Sequence, residues 1–309
     1  MNRKQAQLDD DGFPIAPGFE ESSAGGRSWR VGPALRSLLR MMIVAGILVA
    51  LSNHFDWPKL AGDAVADYLA ERAVQQYNHN DLPAALDSIN RAVSWSPDKP
   101  RLWWLRAQLN FAQKDYEAAL TDAQRMAELN PRDVEAFSFQ RHVLHILHRH
   151  RETAGLATDQ LNKQIGDRAG LLNDRAYARA NGEFDLEPAL ADIDEALKLS
   201  EEDNASLIDT RGYVLLKLGR HQEALDEFER AIELVLAEKN RIEDMLALGP
   251  ARARQNREAR RLLEQCDESL AVMYHHRGET HEKLGRAVQS FRDFQFAMQL
   301  GFNPDDGVY

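Results

Sequence analysis

An arginine followed by a small residue recurs along this chain, as Arg72-Ala73, Arg106-Ala107, Arg175-Ala176, Arg211-Gly212 and Arg277-Gly278. A weaker copy, Arg141-His142, stands between the second and the third, so successive arginines are 34, 35, 34, 36 and 66 residues apart. A period of about 34 residues is the length of one helix–turn–helix unit. A single such unit cannot bury its apolar face, so units stack side by side. The spacing therefore predicts an all-α chain built as an α-solenoid of about six helix–turn–helix units.

The units show a finer pattern. In "SLIDTRGYVLLKLGRHQEALDEFERAIEL" Gly212 is a small residue in the first helix, Gly219 precedes the second, and Ala224 and Ala231 stand seven apart around Phe228. Ala73, Ala85, Ala92 and Pro97 repeat that register, as do Trp103, Ala107, Ala119 and Pro131. Ala176, Ala189, Ile193 and Ala196 follow, with one extra residue in the turn, and then Tyr274, Gly278, Gly285, Phe294 and Ala297. Residues 135–167 keep Ala154 and little else of it. The pattern resembles the tetratricopeptide repeat over residues 66–302. That resemblance implies a right-handed superhelix in which small residues let paired helices approach and large ones fill the space between pairs.

The recurring arginine has a structural reading. Sixteen residues after Arg106, Arg211 and Arg277 stand Asp122, Glu227 and Asp293, and seventeen after Arg175 stands Asp192. Across a tight helical hairpin that offset sets two side chains opposite each other, which predicts an ion pair within about 6 Å in each of these units. Arg72 meets Ser88 at the same offset, with Asp87 adjacent, so its pairing is left open. The competing reading has the arginine column lining a ligand groove.

The long step from Arg211 to Arg277 contains no legible repeat. "AIELVLAEKNRIEDMLAL" carries the helical period past its usual end, Gly249-Pro250 breaks it, and "ARARQNREARRLLEQCDESLAVMYHHRG" resumes it. An extended helical hairpin at about 232–276 is expected, with Arg252, Arg254, Arg257, Arg260 and Arg261 at its tip. These are read either as a solvated helix face or as a docking point for an acidic partner or anionic headgroups.

Ahead of the solenoid (64–302), residues 1–38 are rich in Gly, Pro, Ser and charge and are expected to be a disordered tail. Residues 39–57 hold an uncharged apolar run from Met41 to Leu51, shorter than the roughly 20 residues of a spanning helix. Leu35, Leu38 and Leu39 extend it, Arg36 and Arg40 can snorkel, and Trp29 and Trp57 stand at the expected interfaces. Three readings are open: an uncleaved single-pass anchor, a cleaved signal with Ala50-Leu51-Ser52 as its cleavage site, and a soluble protein with an apolar N-terminal helix. Four arginines in 21–40 face only Lys59 and Arg72 in 53–72. By the positive-inside rule the N-terminus is then cytoplasmic and the repeats are extracytoplasmic. Residues 303–309 form a C-terminal tail.

The net charge of −11 argues against nucleic acid, whose phosphates need clustered Lys and Arg. One cysteine, Cys266, allows neither an internal disulfide nor a CxxC motif. No nucleophile elbow, phosphate loop or paired-carboxylate motif stands in a convincing setting, and no enzyme activity, cofactor or metal is expected. His142, His145, His148 and His150 are read mainly as a polar helix face, with a metal- or pH-responsive regulator as the alternative. The resemblance implies a scaffold, adaptor or assembly factor that holds another protein or peptide in its concave face. The positions expected to face that groove are Tyr77, Trp104, Phe111, Phe139, Tyr177 and Tyr213, read equally as interface anchors or core filler. Members of the family that clamp a partner's C-terminal carboxylate use Lys and Asn in the groove. Asn173 is the one partial match here, which argues against that subtype.

Overall fold

The computed structural model describes residues 57–200, 203–247 and 253–303, together with Met41 and Met42. The expected N-terminal tail, nearly all of the apolar segment at 39–57, Gly249-Pro250, Arg252 and most of the C-terminal tail lie outside the described residues. Trp57, the last residue of that segment, opens the first helix, seven residues ahead of the expected boundary.

Twelve α-helices and no strand are found among the described residues. They are α1 (Trp57–Asn78), α2 (Leu82–Trp95), α3 (Pro100–Ala112), α4 (Tyr116–Leu129), α5 (Val134–Ile146), α6 (His150–Lys163), α7 (Arg168–Asn181), α8 (Leu186–Leu199), α9 (Ala205–Lys217), α10 (His221–Ala247), α11 (Ala253–Lys283) and α12 (Ala287–Gln299). Short turns join them into six hairpins, α1/α2 to α11/α12. Even the stretch at 135–167, which keeps so little of the pattern, folds as the hairpin α5/α6.

Local chemistry starts and stops these helices. Asp81, Asp115, Asp133 and Asp167 each accept a hydrogen bond from a backbone N–H of the helix that follows, as does Asn204. Such caps satisfy donors that have no partner inside the helix. Each hairpin turn holds a residue with left-handed φ at the same register, Asn80 (60°), Lys114 (64°), His148 (54°), Glu183 (51°), Gly219 (76°) and Gly285 (71°), and the longer turn of α7/α8 adds Asp185 (49°). Only the last two hairpins place glycine there, where a side chain costs least. His148 is therefore a turn residue. The histidines at 142, 145 and 148 do not form a stripe on one helix, because α5 ends at Ile146 and α6 begins at His150.

Inside each hairpin the small residue beside the arginine decides what the second helix can carry. An added Cβ at Gly212 would stand 2.7 Å from the Phe228 ring, and one at Gly278 would stand 2.8 Å from Phe294. At the matching register Ala73 and Ala176 face Ile89 and Ile193, within shared core clusters. In these four hairpins glycine goes with phenylalanine, and alanine with isoleucine, at near-constant volume, whereas in α3/α4 the buried Ala107 and Ala123 hold the two positions. Interiors packed like crystals demand that compensation.

All four expected ion pairs form. The shortest contacts are 2.5 Å for Arg106–Asp122, 2.6 Å for Arg175–Asp192, 2.5 Å for Arg211–Glu227 and 2.7 Å for Arg277–Asp293. Arg72 is exposed and makes no ion pair among the described residues. The arginines also reach backward, to the second helix of the preceding hairpin. Arg106 Nη1 donates to Asn90 (3.1 Å), Arg175 Nη1 to Thr158 (3.2 Å) and Arg211 Nε to Asp194 (2.8 Å). Arg106, Arg175 and Arg211 thus tie their own hairpins shut and fix their register on the hairpin before.

In α10 and α11 the repeat length is exceeded: they run to 27 and 31 residues, against 13 or 14 for most of the others. Their extra turns pack on each other through Val235, Ile242, Cys266 and Leu270, and Lys239 meets Asp267 at 2.5 Å.

Candidate partner-binding groove

The first helices of the hairpins share a face that carries a column of rings. Trp104 on α3 meets Phe139 on α5 at 5.0 Å, Phe139 meets Phe111 at 5.6 Å, and Phe111 meets His142 at 5.4 Å. Three residues further along α5, His145 stacks on Tyr177 of α7 at 5.5 Å. Tyr177 meets Tyr213 of α9 at 5.5 Å, and Tyr213 stacks on His276 of α11 at 4.4 Å. Five of the six aromatics expected in the groove therefore belong to one column. Tyr77 stands apart from it, exposed on α1. Tyr213 is buried, its hydroxyl on Asn181 and its ring under Lys217, so it supports the face and offers little of its own surface.

Two adjoining hollows open along this face. The larger, about 510 Å³, lies among α7, α9 and α11 and is lined by Asn173, Asp174, Tyr177, Asp209, Glu268 and Met273, among others. The smaller, about 180 Å³, lies between α5 and α7 and shares Asp174 and Tyr177 with it. Three carboxylates line the larger hollow and no Lys, Arg or His does. Asp174 is held by Arg141 Nε at 2.6 Å, and Asp209 sits 3.2 Å from His276 Nδ1. Glu268 is exposed and makes no ion pair among the described residues. Asn173 Oδ1 is buried without a hydrogen-bond partner, an arrangement that costs about 1–3 kcal/mol unless a donor arrives.

Sequence reasoning named the aromatics, and Asn173 as a partial clamp match, but not His276, Asp209 and Asp174, which lie along the same face. The one available signal for Asp174 was its place immediately before the column arginine Arg175. The Asp209–His276 pair joins residues 67 apart across the break in the period, so no repeat spacing pointed to it.

The histidines are not arranged for a metal: no group of three or more His, Cys, Asp or Glu side chains among the described residues is placed to hold one. Burial, helped by the like charges of His150, His142 and His148, pushes the His145 pKa down to about 3. His145 is thus neutral from pH 5 to 8 and does not sense that range. At the end of the long hairpin Arg257, Arg260 and Arg261 are exposed, with the exposed carboxylate of Glu258 among them. The side chain of Arg254, like all of Arg252, lies outside the described residues.

Comparison with known proteins agrees with this architecture. Family models of the tetratricopeptide repeat match residues 71–134 and 205–234. A TPR repeat-containing protein of Rhizobium etli is 30% identical over 90 residues, which are 29% of this chain and 44% of that protein; the chain thus spans less than half of the relative it matches. A tetratricopeptide repeat protein from Parabacteroides merdae has a similar structure at 16% identity, covering 78% of this chain and 95% of that one with a TM-score of 0.52. MamA from Desulfovibrio magneticus aligns at 16% identity over 55% of this chain and 94% of its own, with a TM-score of 0.47. The chain is thus similar to tetratricopeptide-repeat proteins in sequence over residues 71–134 and 205–234, and in fold through its helical hairpins.

Proposed function

We propose that this chain is a non-enzymatic interaction module that holds an extended segment of another protein against α7, α9 and α11. The observation that carries this reading is the unpartnered Asn173 Oδ1 in the larger hollow. Once the Asn173 amide turns toward the hollow, a backbone N–H of a bound segment supplies the donor that this oxygen lacks. Glu268, the one of the three carboxylates with no ion-pair partner among the described residues, favours a Lys or Arg on the same segment, and Tyr177 and Val272 offer apolar contact. The preference is the reverse of a carboxylate clamp, which needs cations in the groove.

The N-terminal apolar run supports a membrane tether in the same proposal, with the tail cytoplasmic and the repeats on the other side. Among the described residues no helix is long and apolar enough to cross a membrane, so the tether rests on residues 39–57 alone.

A photocrosslinking residue at Glu268 tests the groove, with one at Glu187 on α8 as the control. Crosslinks from 268 alone, lost in Asn173→Ala, support the reading; equal capture from both positions, or capture indifferent to Asn173→Ala, rejects it. Alkaline extraction of membranes together with protease accessibility tests the tether.

A further inference from the structure

The two ends of the solenoid carry the two halves of its internal interface. Between hairpins, one residue of each first helix enters the core of the hairpin before it. Leu102 packs with Ile89 and Val93, Leu207 with Ile193 and Ala196, and Met273 with Ile232 and Val235. Counting from the column arginine, the same position in α1 is Tyr68, and it is 63% exposed. The far end shows the converse. Leu120, Leu190 and Leu225 are buried on their second helices, where the next hairpin covers them. The equivalent residue of α12 is Phe291, 66% exposed; Met298, at the position of buried Val93 and Ile232, is 54% exposed. Solenoids normally close their ends with polar faces. Among the described residues the first and last hairpins display large apolar side chains instead.

The arginine column supplies the register. Arg106 and Arg211 donate backward to Asn90 and Asp194, each two residues beyond the position that carries the in-hairpin carboxylate. On α12 that carboxylate is Asp293, so the corresponding acceptor is Gln295. On α1 the corresponding donor is Arg72, which has no ion-pair partner among the described residues. Among the described residues, then, the Arg72 side chain at the head and the Gln295 side chain at the tail have no hydrogen-bond partner.

We propose that the occupant of both faces is a second copy of this chain, stacked head to tail. The tail of one copy (Phe291, Gln295, Met298) covers the head of the next (Tyr68, Arg72) and continues the solenoid. A segment of the chain itself could cover one face; another copy satisfies both by the geometry already used between hairpins. The contact is heterologous and generates open rows. One helix-pair contact falls short of the ~1,200 Å² typical of stable complexes, so assembly is concentration-dependent and favoured where chains are crowded, as on a membrane.

Sedimentation equilibrium of the full chain, in one detergent throughout, tests this. The wild type should rise in mass with concentration past the dimer. Tyr68→Glu and Phe291→Glu, both exposed and so compatible with folding, should each raise the dissociation constant by about tenfold or more, the scale of losing an aromatic anchor. Mixed together the two variants should form a 1:1 dimer and nothing larger, because one intact head meets one intact tail. Arg72→Glu should weaken association and Gln295→Arg should restore it, which covers the case in which an aromatic variant misfolds. A wild type that stays monomeric at every concentration overturns the proposal, and protection of Tyr68 from hydroxyl radicals in that monomer would name the chain's own N-terminal segment as the occupant. Dimers formed by either variant alone overturn it in favour of like-with-like faces, and a mixture of the two variants that stays monomeric overturns it outright.

Discussion

Arg106 donates from Nε and Nη2 to the two carboxylate oxygens of Asp122, at 2.9 and 2.5 Å, across one helical hairpin. Asp122 is almost wholly buried and takes a further hydrogen bond from Asn110 at 2.9 Å. The same fork closes Arg175 on Asp192 and Arg277 on Asp293, whereas Arg211 divides its donors between Glu227 and Asp194. A guanidinium matches a carboxylate in two parallel bonds, which fixes the relative position of two helices more tightly than a point charge does.

Asp122→Ala leaves Arg106 partly buried without its counterion. Removing one partner of a buried pair costs about 3–5 kcal/mol, while replacing both with apolar residues of similar size costs far less. Urea unfolding followed by circular dichroism should show Asp122→Ala well below Arg106→Met/Asp122→Leu. A single variant that matches the double one would show that the pair does not hold this hairpin.

Gly212→Ala drives a methyl group into the Phe228 ring, which is wholly buried. Overpacking of this kind costs about 1–3 kcal/mol. Phe228→Ile in the same chain recreates the pairing of Ala176 with Ile193 and should recover part of the loss. Thermal midpoints of the three proteins decide the matter; a double variant less stable than Gly212→Ala would refute the compensation.

His145 sets an acid limit. Its pKa in the folded protein is about 3, against ~6.5 for an unfolded histidine, so the fold favours the neutral ring. The resulting stability is complete above pH ~6.5 and is lost as the pH falls from there toward 3, by up to about 1.4 kcal/mol per unit. His145→Gln should flatten the fall between pH 6 and 4, as read from unfolding midpoints at each pH. An acid limb of unchanged slope would move the effect to other groups.

Cys266 reports on the long hairpin. Burial pushes its thiol above the usual range, with the nearby carboxylate of Asp267 adding to the rise. Labelling of the native chain by a thiol reagent should be at least about tenfold slower than in denaturant, since the thiolate is scarce and shielded. Ile242→Ala, which removes a buried neighbour from the same cluster, should speed it. Labelling of the folded chain at the denatured rate would mean that α10 and α11 do not stay closed there.

The hairpins and their number, the ion pairs and the overlong helices were legible in the sequence because each follows from local spacing. Offsets of 16 and 17 residues are set by helix geometry and turn length, and a near-constant period carries them from one hairpin to the next. Even the extra turn residue near Phe184 shifted the offset from Arg175 to Asp192 as a hairpin requires. The histidine stripe was misread because Leu147 and His148 carry no marked turn signal, and the left-handed φ at His148 is imposed by the register of the neighbouring hairpins.

By itself, then, the sequence determined the architecture: a repeating helical hairpin, its internal salt bridges, and the place where the repeat lengthens. Only the tertiary structure decided which residues carry a face. The depth of Tyr213, the carboxylates around Asn173, the Asp209–His276 pair and the exposure of Tyr68 and Phe291 depend on which helix lies against which. The reason is physical. Hairpin closure is a local matter of helix pitch, whereas burial depends on what the neighbouring hairpin covers.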